Sequence, residues 1–308
     1  MPIADDGDSI PEIPPQILQA ASRGTLVVFI GAGISRFADC PSWRQYAEKK
    51  LNFLFDKKAI TYEEREYITS LAPKEILSIC EVVLKQANVC CEVDHLFPEL
   101  PGPALEFYCD ILDFEAIYLT TNYDHNIEEA FKLRPNSTGQ IVVLHSITDD
   151  AIAYLKSGTV LHLHGSLQES TQMVETTEDY LSTYFQERKV PALLDKVFRD
   201  YTTLFLGYGL EEMEILQFLF GKKPKAPGEP KHFMLWGRHL RSDRLLKIMK
   251  EYYGNIGVQV VPYPLWKHGH EHLKTVVKYW SAMIRPVARS TDFMTQRRIV
   301  LDAIEPEE

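Results

Sequence analysis

The sequence predicts an α/β fold, a doubly wound and mostly parallel sheet with an inserted helical subdomain. Short, continuously apolar runs rich in β-branched residues alternate with amphipathic stretches, which is the pattern of a parallel sheet covered by helices on both faces. One stretch of about 70 residues has helical spacing and no strand pattern. The length of 308 residues suffices for a sheet domain with such an insertion.

The predicted elements start with an acidic, Pro-rich lead-in and a short helix over residues 1–23. A buried strand, TLVVFI, opens the main domain at 24–286, and the helical subdomain occupies about 42–112. Further strands are predicted in EAIYLT, QIVVLH, TVLHLHG, TTLFLG, KHFMLWG and VQVVPYP. Residues 287–308 form a tail, amphipathic and then acidic, that we expect to pack on a neighbouring subunit or to stay mobile.

Composition excludes several classes of protein. The net charge is −10 and no long Lys/Arg run occurs, so direct binding of nucleic acid is not expected. No apolar run approaches the roughly 18 residues of a membrane span, and the acidic start lacks the features of a signal peptide. The five cysteines contain no C-x-x-C pair, which argues against a disulfide framework or a structural zinc. A cytoplasmic protein without a metal is the expectation.

A glycine-rich turn, GAGIS, follows the first strand and raises the question of its ligand. The common dinucleotide fingerprint has three glycines as G-x-G-x-x-G, but here Gly31 and Gly33 are followed by Arg36 at the third position. Glycines allow backbone N–H groups to approach a phosphate closely at the start of a helix. We therefore expect a bound phosphate group, held differently from the common dinucleotide arrangement.

Three further turns follow predicted strands. They contain TTNYD at 120–124, HGS at 164–166 and GYGL at 207–210. The carboxyl ends of parallel strands meet at one edge of a sheet, where ligands bind in doubly wound folds. The four turns are therefore predicted to converge on one site.

In their order and separation these turns resemble the sirtuins, a family of NAD-consuming enzymes. Sirtuins carry GAGIS after the first strand, TQNID after a later one, a catalytic HG and then GTS. The resemblance covers residues 24–220 approximately and implies a Rossmann-like sheet of the sirtuin type, with NAD as substrate.

The resemblance assigns roles to two catalytic residues. Asn122 would hold the nicotinamide ribose or orient the attacking group, since its amide both donates and accepts hydrogen bonds. His164 would act as the base, because an imidazole titrates near neutrality. His162 would share a strand face with His164 and serve as a packing partner. A metal pair formed by the two histidines was weighed, but no carboxylate or cysteine lies nearby at the usual spacing in the sequence.

The resemblance also implies a set of NAD-binding residues. Pro41 and Arg44 match a P-D-F-R motif of the sirtuin cofactor loop, while Trp43 replaces its Phe. Asp124 would bind the nicotinamide carboxamide or cap the following helix. The full predicted set is Gly31, Ala32, Gly33, Ser35, Pro41, Trp43, Arg44, Thr121, Asp124, Gly207, Tyr208 and Gly209.

The departures from the family pattern favour one branch of it. Protein-deacylating sirtuins bind zinc through four cysteines after the HG element, but this chain has no cysteine after Cys109. The chain thus resembles the zinc-free, sirtuin-like NAD hydrolases of bacterial anti-phage defence. The resemblance implies hydrolysis of NAD to nicotinamide and ADP-ribose. The alternatives are a non-catalytic sensor of NAD or ADP-ribose and an ADP-ribosyltransferase or deacylase.

An NAD hydrolase must be controlled, because constant activity would kill the cell. The resemblance implies a homo-oligomer or filament, together with a regulatory protein partner such as a ring-forming DNA-translocating ATPase.

Overall fold

The computed structural model describes residues 7–91, 96–98, 100–134, 141–168, 173–210, 212–220 and 232–304, with only the backbone of 290–304. The first six residues of the predicted lead-in and the last four of the tail lie outside these ranges. No helix among the described residues is long and apolar enough to cross a membrane.

Seven parallel strands form one sheet, as predicted. They are β1 Leu26–Ile30, β2 Ile117–Thr120, β3 Val142–Leu144, β4 Thr159–His162, β5 Thr202–Leu206, β6 His232–Arg238 and β7 Val258–Pro264. Their order is β3-β4-β2-β1-β5-β6-β7, and every neighbouring pair is parallel. The strands β2, β3 and β4 lie on one side of β1, and β5, β6 and β7 lie on the other, so the direction in which strands are added reverses between β1 and β5. This is the point where a doubly wound sheet binds its ligand.

Twelve helices are seen in the described part of the chain. They are α1 Pro15–Ser22, α2 Ala32–Ser35, α3 Trp43–Asp56, α4 Tyr62–Thr69, α5 Pro73–Ala87, α6 Gly102–Leu112, α7 Asn126–Leu133, α8 Thr177–Leu181, α9 Lys189–Asp200, α10 Met213–Phe220, α11 Asp243–Gly254 and α12 His272–Ile304. A π-helical turn, Ser182–Gln186, joins α8 to α9.

The two faces of the sheet bury separate cores, which is why β1 is apolar at every position. Leu26, Val28 and Ile30 pack under α1, α6 and α12, while Val27 and Phe29 pack under α9 and α10. A strand buried on both faces cannot alternate between apolar and polar residues, so its sequence is a continuous apolar run.

The inserted helices have a core of their own. Side chains of α3, α4 and α5 pack together and against Tyr123, which lies just beyond β2. By contrast, α6 contributes Phe107, Tyr108 and Ile111 to a core of the sheet. The part of the insertion with a separate core therefore ends before α6.

The predicted tail continues the last helix. α12 runs without interruption through Pro286 to Ile304, so residue 286 marks no break in the backbone. Its first half packs on the sheet through Val276, Val277 and Trp280.

Candidate functional site

A cavity of about 250 Å³ lies at the carboxyl ends of β1, β2, β4 and β5. The four turns predicted to converge all contribute to it. Its lining includes Ala32, Ser35, Pro41, Trp43, Thr121, Asn122, Asp124, His164, Gly207, Tyr208 and Gly209 from the predicted set. The insertion supplies one wall, so the cavity lies between the sheet and the helical block.

The glycines of the first and last turns allow two backbones to pack against each other. The Gly33 N–H donates to the Gly207 carbonyl oxygen at 2.9 Å, and the Gly31 N–H donates to the Leu206 carbonyl oxygen at 2.9 Å. A Cβ at Gly33 would lie 2.7 Å from the Gly207 oxygen, and one at Gly31 would lie 2.6 Å from it. Gly31 and Gly33 join the turns to each other, while Ala32 and Ser35 line the cavity.

Ser35 connects the two predicted polar residues of the second turn. The Asn122 amide nitrogen donates to the Ser35 hydroxyl oxygen at 2.8 Å, and that hydroxyl donates to Asp124 Oδ2 at 2.6 Å. Burial raises the pKa of Asp124, although the donors Ser35 and Asn126 favour its charged form. The amide of Asn122 is thus held at the cavity wall by a chain of side chains.

Asp124 and Thr120 fix the backbone around Asn122. The Asp124 Oδ1 accepts from the Asn126 N–H at 3.2 Å, but His125 is the N-cap residue of α7 and no side chain caps this helix, so the capping role considered for Asp124 is not observed. The Thr120 hydroxyl donates to the Ile30 carbonyl oxygen at 2.9 Å and accepts from the Asn122 N–H at 3.0 Å. Both contacts tie the turn after β2 to neighbouring elements.

His164 is buried beside two tyrosines. Its Nε2 lies 2.7 Å from the Tyr184 hydroxyl, and its Nδ1 lies 3.5 Å from the Tyr180 hydroxyl. Burial lowers the pKa of His164 to about 3, with a smaller contribution from the positive charge of Lys74. The imidazole is therefore neutral at physiological pH.

His162 and His164 do not share a strand face, because β4 ends at His162 and the chain turns before His164. The predicted alternation holds only within an extended strand. His162 instead donates from Nδ1 to the Asn122 carbonyl oxygen at 3.0 Å, with Nε2 2.7 Å from Glu128 Oε1. Burial opposes both charges, but their hydrogen bond prevails and raises the pKa of His162 while lowering that of Glu128.

Two charged residues of the site were not found from the sequence. Glu212 Oε2 lies 3.7 Å from Nε2 of His164, and both side chains line the cavity. Lys74 reaches the cavity from α5, lies 3.7 Å from the centre of the Tyr180 ring and pairs with Glu214 at 2.6 Å. Lys74 lies far along the chain from the glycine turns, and Glu212 follows Gly209 by three residues without belonging to a motif that marks it.

Two of the three residues predicted in the cofactor loop line the cavity, and the third does not. Pro41 and Trp43 line the cavity, and the Trp43 ring stacks on Tyr46 with centroids 5.8 Å apart. The Arg44 guanidinium donates to the Thr69 carbonyl oxygen at 3.1 Å and lies 3.8 Å from Glu48. The Arg44 side chain thus contacts other residues of the inserted helices and does not line the cavity.

Cys40 lines the cavity but is not poised as a nucleophile. Burial raises the pKa of its thiol to about 12, with a further contribution from the negative charge of Asp124. The thiolate is the reactive form, so this cysteine is inert at neutral pH.

An ion pair between Lys50 and Glu175 lies behind Tyr46, which lines the cavity. Lys50 Nζ lies 2.5 Å from Glu175 Oε2, and the Tyr46 hydroxyl donates to the other oxygen of the same carboxylate. The Tyr123 hydroxyl donates to the Val174 carbonyl oxygen at 2.7 Å in the adjacent position. These contacts join α3 to the segment before α8 and so hold the aromatic wall in place.

Comparison with known proteins shows a similarity over part of the chain. Residues 116–255 match the SIR2-like domain family. This part of the chain is similar to SIR2-like domains. The match extends from β2 to α11 and includes Asn122, His164 and Gly207, while the first glycine turn precedes it.

One curated sirtuin-like relative is the defense-associated sirtuin 2 of Bacillus subtilis. It is 25% identical over 214 residues, which are 66% of this chain and 20% of that protein. The chain therefore spans about a fifth of the length of this relative.

Proposed function

We propose that this chain is an NAD glycohydrolase, which cleaves the bond between nicotinamide and ribose to give nicotinamide and ADP-ribose. SIR2-like domains bind NAD as a substrate. The observation that carries the proposal is the joint presence of Asn122, Ser35 and His164 on one cavity at the point where the strand order reverses.

The cavity offers the groups that the reaction requires. The amide of Asn122, held by Ser35, is placed to hydrogen-bond a ribose hydroxyl or a water molecule. The oxygen of water forms a bond to the anomeric carbon, the carbon–nitrogen bond breaks and neutral nicotinamide leaves. The proton of the attacking water passes to His164, whose positive charge the Glu212 carboxylate at 3.7 Å then stabilises.

The residues that cover His164 favour water over an acyl-peptide as the acceptor of the ADP-ribosyl group. In deacylating sirtuins a zinc module follows the HG element, whereas here α8, the π-helical turn and α9 follow it. Tyr180 and Tyr184 from this segment cover the imidazole, and aromatic side chains of α3 close the opposite side. A pocket that excludes bulk solvent strengthens the polar contacts to the substrate.

We propose further that NAD depletion by this chain serves anti-phage defence, since its relative in Bacillus subtilis is a defense-associated sirtuin. Control of the activity would come from assembly into a homo-oligomer or filament, or from a regulatory partner such as a ring-forming DNA-translocating ATPase. Size measurement by light scattering, run in parallel with NAD turnover, tests this part: turnover that rises with assembly supports it, and full activity of an isolated monomer contradicts it.

The reaction itself is tested by product chromatography after incubation of the full chain with NAD. We expect nicotinamide and free ADP-ribose from the wild type and at least a hundredfold less from Asn122→Ala and His164→Ala. Asn255→Ala, at an exposed site after α11, is the matched control and should retain full activity. Binding of NAD without release of nicotinamide in every assembly state would establish the sensor alternative. Label from ADP-ribose on protein would establish a transferase.

A further inference from the structure

Glu128, His145 and His162 form a cluster on the far side of the Asn122 backbone from the cavity. One nitrogen or oxygen atom from each lies within 4.8 Å of the other two. The residues come from α7, from the segment after β3 and from the end of β4. None of them is a lining residue of the NAD cavity.

The cluster contains a buried polar atom without a partner. Glu128 is 4% exposed, and its Oε2 has no hydrogen-bond partner among the described residues, while Oε1 lies 2.7 Å from His162. A buried carboxylate oxygen without a hydrogen bond is strongly unfavourable and requires an explanation. A bound cation is one such explanation, because it would satisfy this oxygen directly.

Both imidazoles are held in position by hydrogen bonds on the ring atoms Nδ1. In His162, Nδ1 donates to the Asn122 carbonyl oxygen at 3.0 Å, so Nε2 is the atom that faces Glu128. In His145, Nδ1 lies 2.8 Å from the Ser166 hydroxyl. Histidines that bind metals are oriented in this manner by outer hydrogen bonds to carbonyl, hydroxyl or carboxylate groups.

We propose that Glu128, His145 and His162 form a binding site for a divalent transition metal, for which Zn²⁺ is the best match. Two imidazoles and one carboxylate are a common zinc donor set, and Zn²⁺ imposes no geometry of its own. Binding would replace the proton now held between Glu128 and His162. It would also separate their atoms from 2.7 Å to about 3.3 Å, the spacing of neighbouring ligands in a tetrahedral zinc site.

Water would occupy the fourth coordination position of the metal ion. The ring of His125 is 5.9 Å from that of His145, but its Nε2 accepts from the Gln168 N–H at 3.3 Å. His125 therefore borders the cluster and is not included among the ligands. His145 is half-buried, so the site can exchange an ion with solvent. A metal here would anchor the Asn122 turn through the His162 ring.

No motif in the sequence indicates this site. Its three residues are separated by 17 positions in each interval, far from the short spacings that identify zinc motifs. The sequence also has a histidine-rich segment at 267–272, where His268 and His270 are exposed, His272 is buried and His268 pairs with Asp8 at 2.7 Å.

The test is titration of the untagged full chain, first freed of metals by a chelator, with Co²⁺ as a spectroscopic substitute for Zn²⁺. We expect one Co²⁺ per chain, with the visible absorption of a tetrahedral site with nitrogen and oxygen ligands, and displacement of Co²⁺ by Zn²⁺. His145→Ala and Glu128→Gln should weaken binding by roughly tenfold or more. His268→Ala combined with His270→Ala is the matched control and should bind Co²⁺ as the wild type does.

His145→Gln is a second variant in case His145→Ala fails to fold, which circular dichroism reports. Absence of Co²⁺ binding by the wild type, or equal binding by the wild type and the cluster variants, overturns the proposal. So does loss of binding in the surface control. The readout is metal binding alone, so it is independent of whether the chain hydrolyses NAD.

Discussion

The Tyr184 hydroxyl lies 2.7 Å from Nε2 of His164, inside the wall formed by the π-helical turn and α8. Neither residue is exposed enough for water to solvate a charged imidazole, since His164 is 2% and Tyr184 3% exposed. The proposed catalytic base is therefore a buried neutral group, and both its reactivity and its effect on stability depend on that state.

The burial of His164 predicts a loss of stability in acid. Its pKa is about 3 in the folded protein, against 6.5 for the free side chain, so only the unfolded chain binds this proton between those values. The free energy of unfolding should therefore fall as the pH drops from 6.5 towards 3. Urea denaturation of wild type and His164→Asn at several pH values measures this, and the variant should show a shallower decrease. If the free energy of unfolding decreased equally with falling pH in both proteins, the lowered pKa of His164 would be contradicted.

The contact between the two glycine turns predicts a position-specific effect of alanine. Gly207 has φ of +60°, and a Cβ there would lie 2.6 Å from the Ile34 nitrogen. Gly207→Ala should therefore lower the free energy of unfolding by about 3 kcal/mol, since both the backbone conformation and the contact are unfavourable.

Gly254→Ala, at the end of α11, is the matched control for Gly207→Ala. A Cβ at Gly254 meets nothing within 4 Å, so stability should be unchanged or raised by up to about 1 kcal/mol. Chemical denaturation of both variants gives the comparison, and a similar loss in both would argue against the backbone contact.

The ion pair beside the aromatic wall predicts non-additive effects. Lys50→Met leaves the buried Glu175 carboxylate without its cation and should lower the free energy of unfolding by about 3 kcal/mol. The double variant Lys50→Met with Glu175→Gln removes both charges and should recover part of that loss. Denaturation of the two single variants and the double variant forms a complete cycle. Equal, additive losses would show that the pair is not coupled.

The cysteines should differ in their reactivity. Cys90 is exposed, whereas burial raises the pKa of both Cys40 and Cys80 to about 12. Iodoacetamide at neutral pH should therefore alkylate Cys90 in the folded protein and leave Cys40 unmodified, with no loss of NAD turnover. Peptide mass spectrometry after short exposure identifies the modified residues. Rapid alkylation of Cys40 would show that its thiol is accessible to solvent and would contradict this prediction.

The strand pattern was the most informative part of the sequence. All seven predicted strands are present, because a strand buried on both faces leaves a continuous apolar run such as that of β1. The convergence of the turns after β1, β2, β4 and β5 followed from the rule that parallel strands end at one edge.

Contacts between segments that are distant in the sequence could not be predicted from it. Lys74 lies far from the glycine motifs in the sequence, and neither Lys74 nor Glu212 is related to His164 by a local pattern. The prediction that His162 and His164 share a face was wrong, because hydrogen-bonded pairing with β2 stops at His162. Local patterns identify which residues lie near a strand end but not the residue at which pairing stops.

The contact of the Gly33 N–H with the Gly207 carbonyl oxygen also bears on how ligand could enter. Two of the surrounding turns are joined through the main chain, so neither can swing aside alone without breaking sheet-like bonds. Any change in the shape of the cavity would therefore come from its side-chain walls, such as that of Trp43 and Tyr46, while the two turns stay joined.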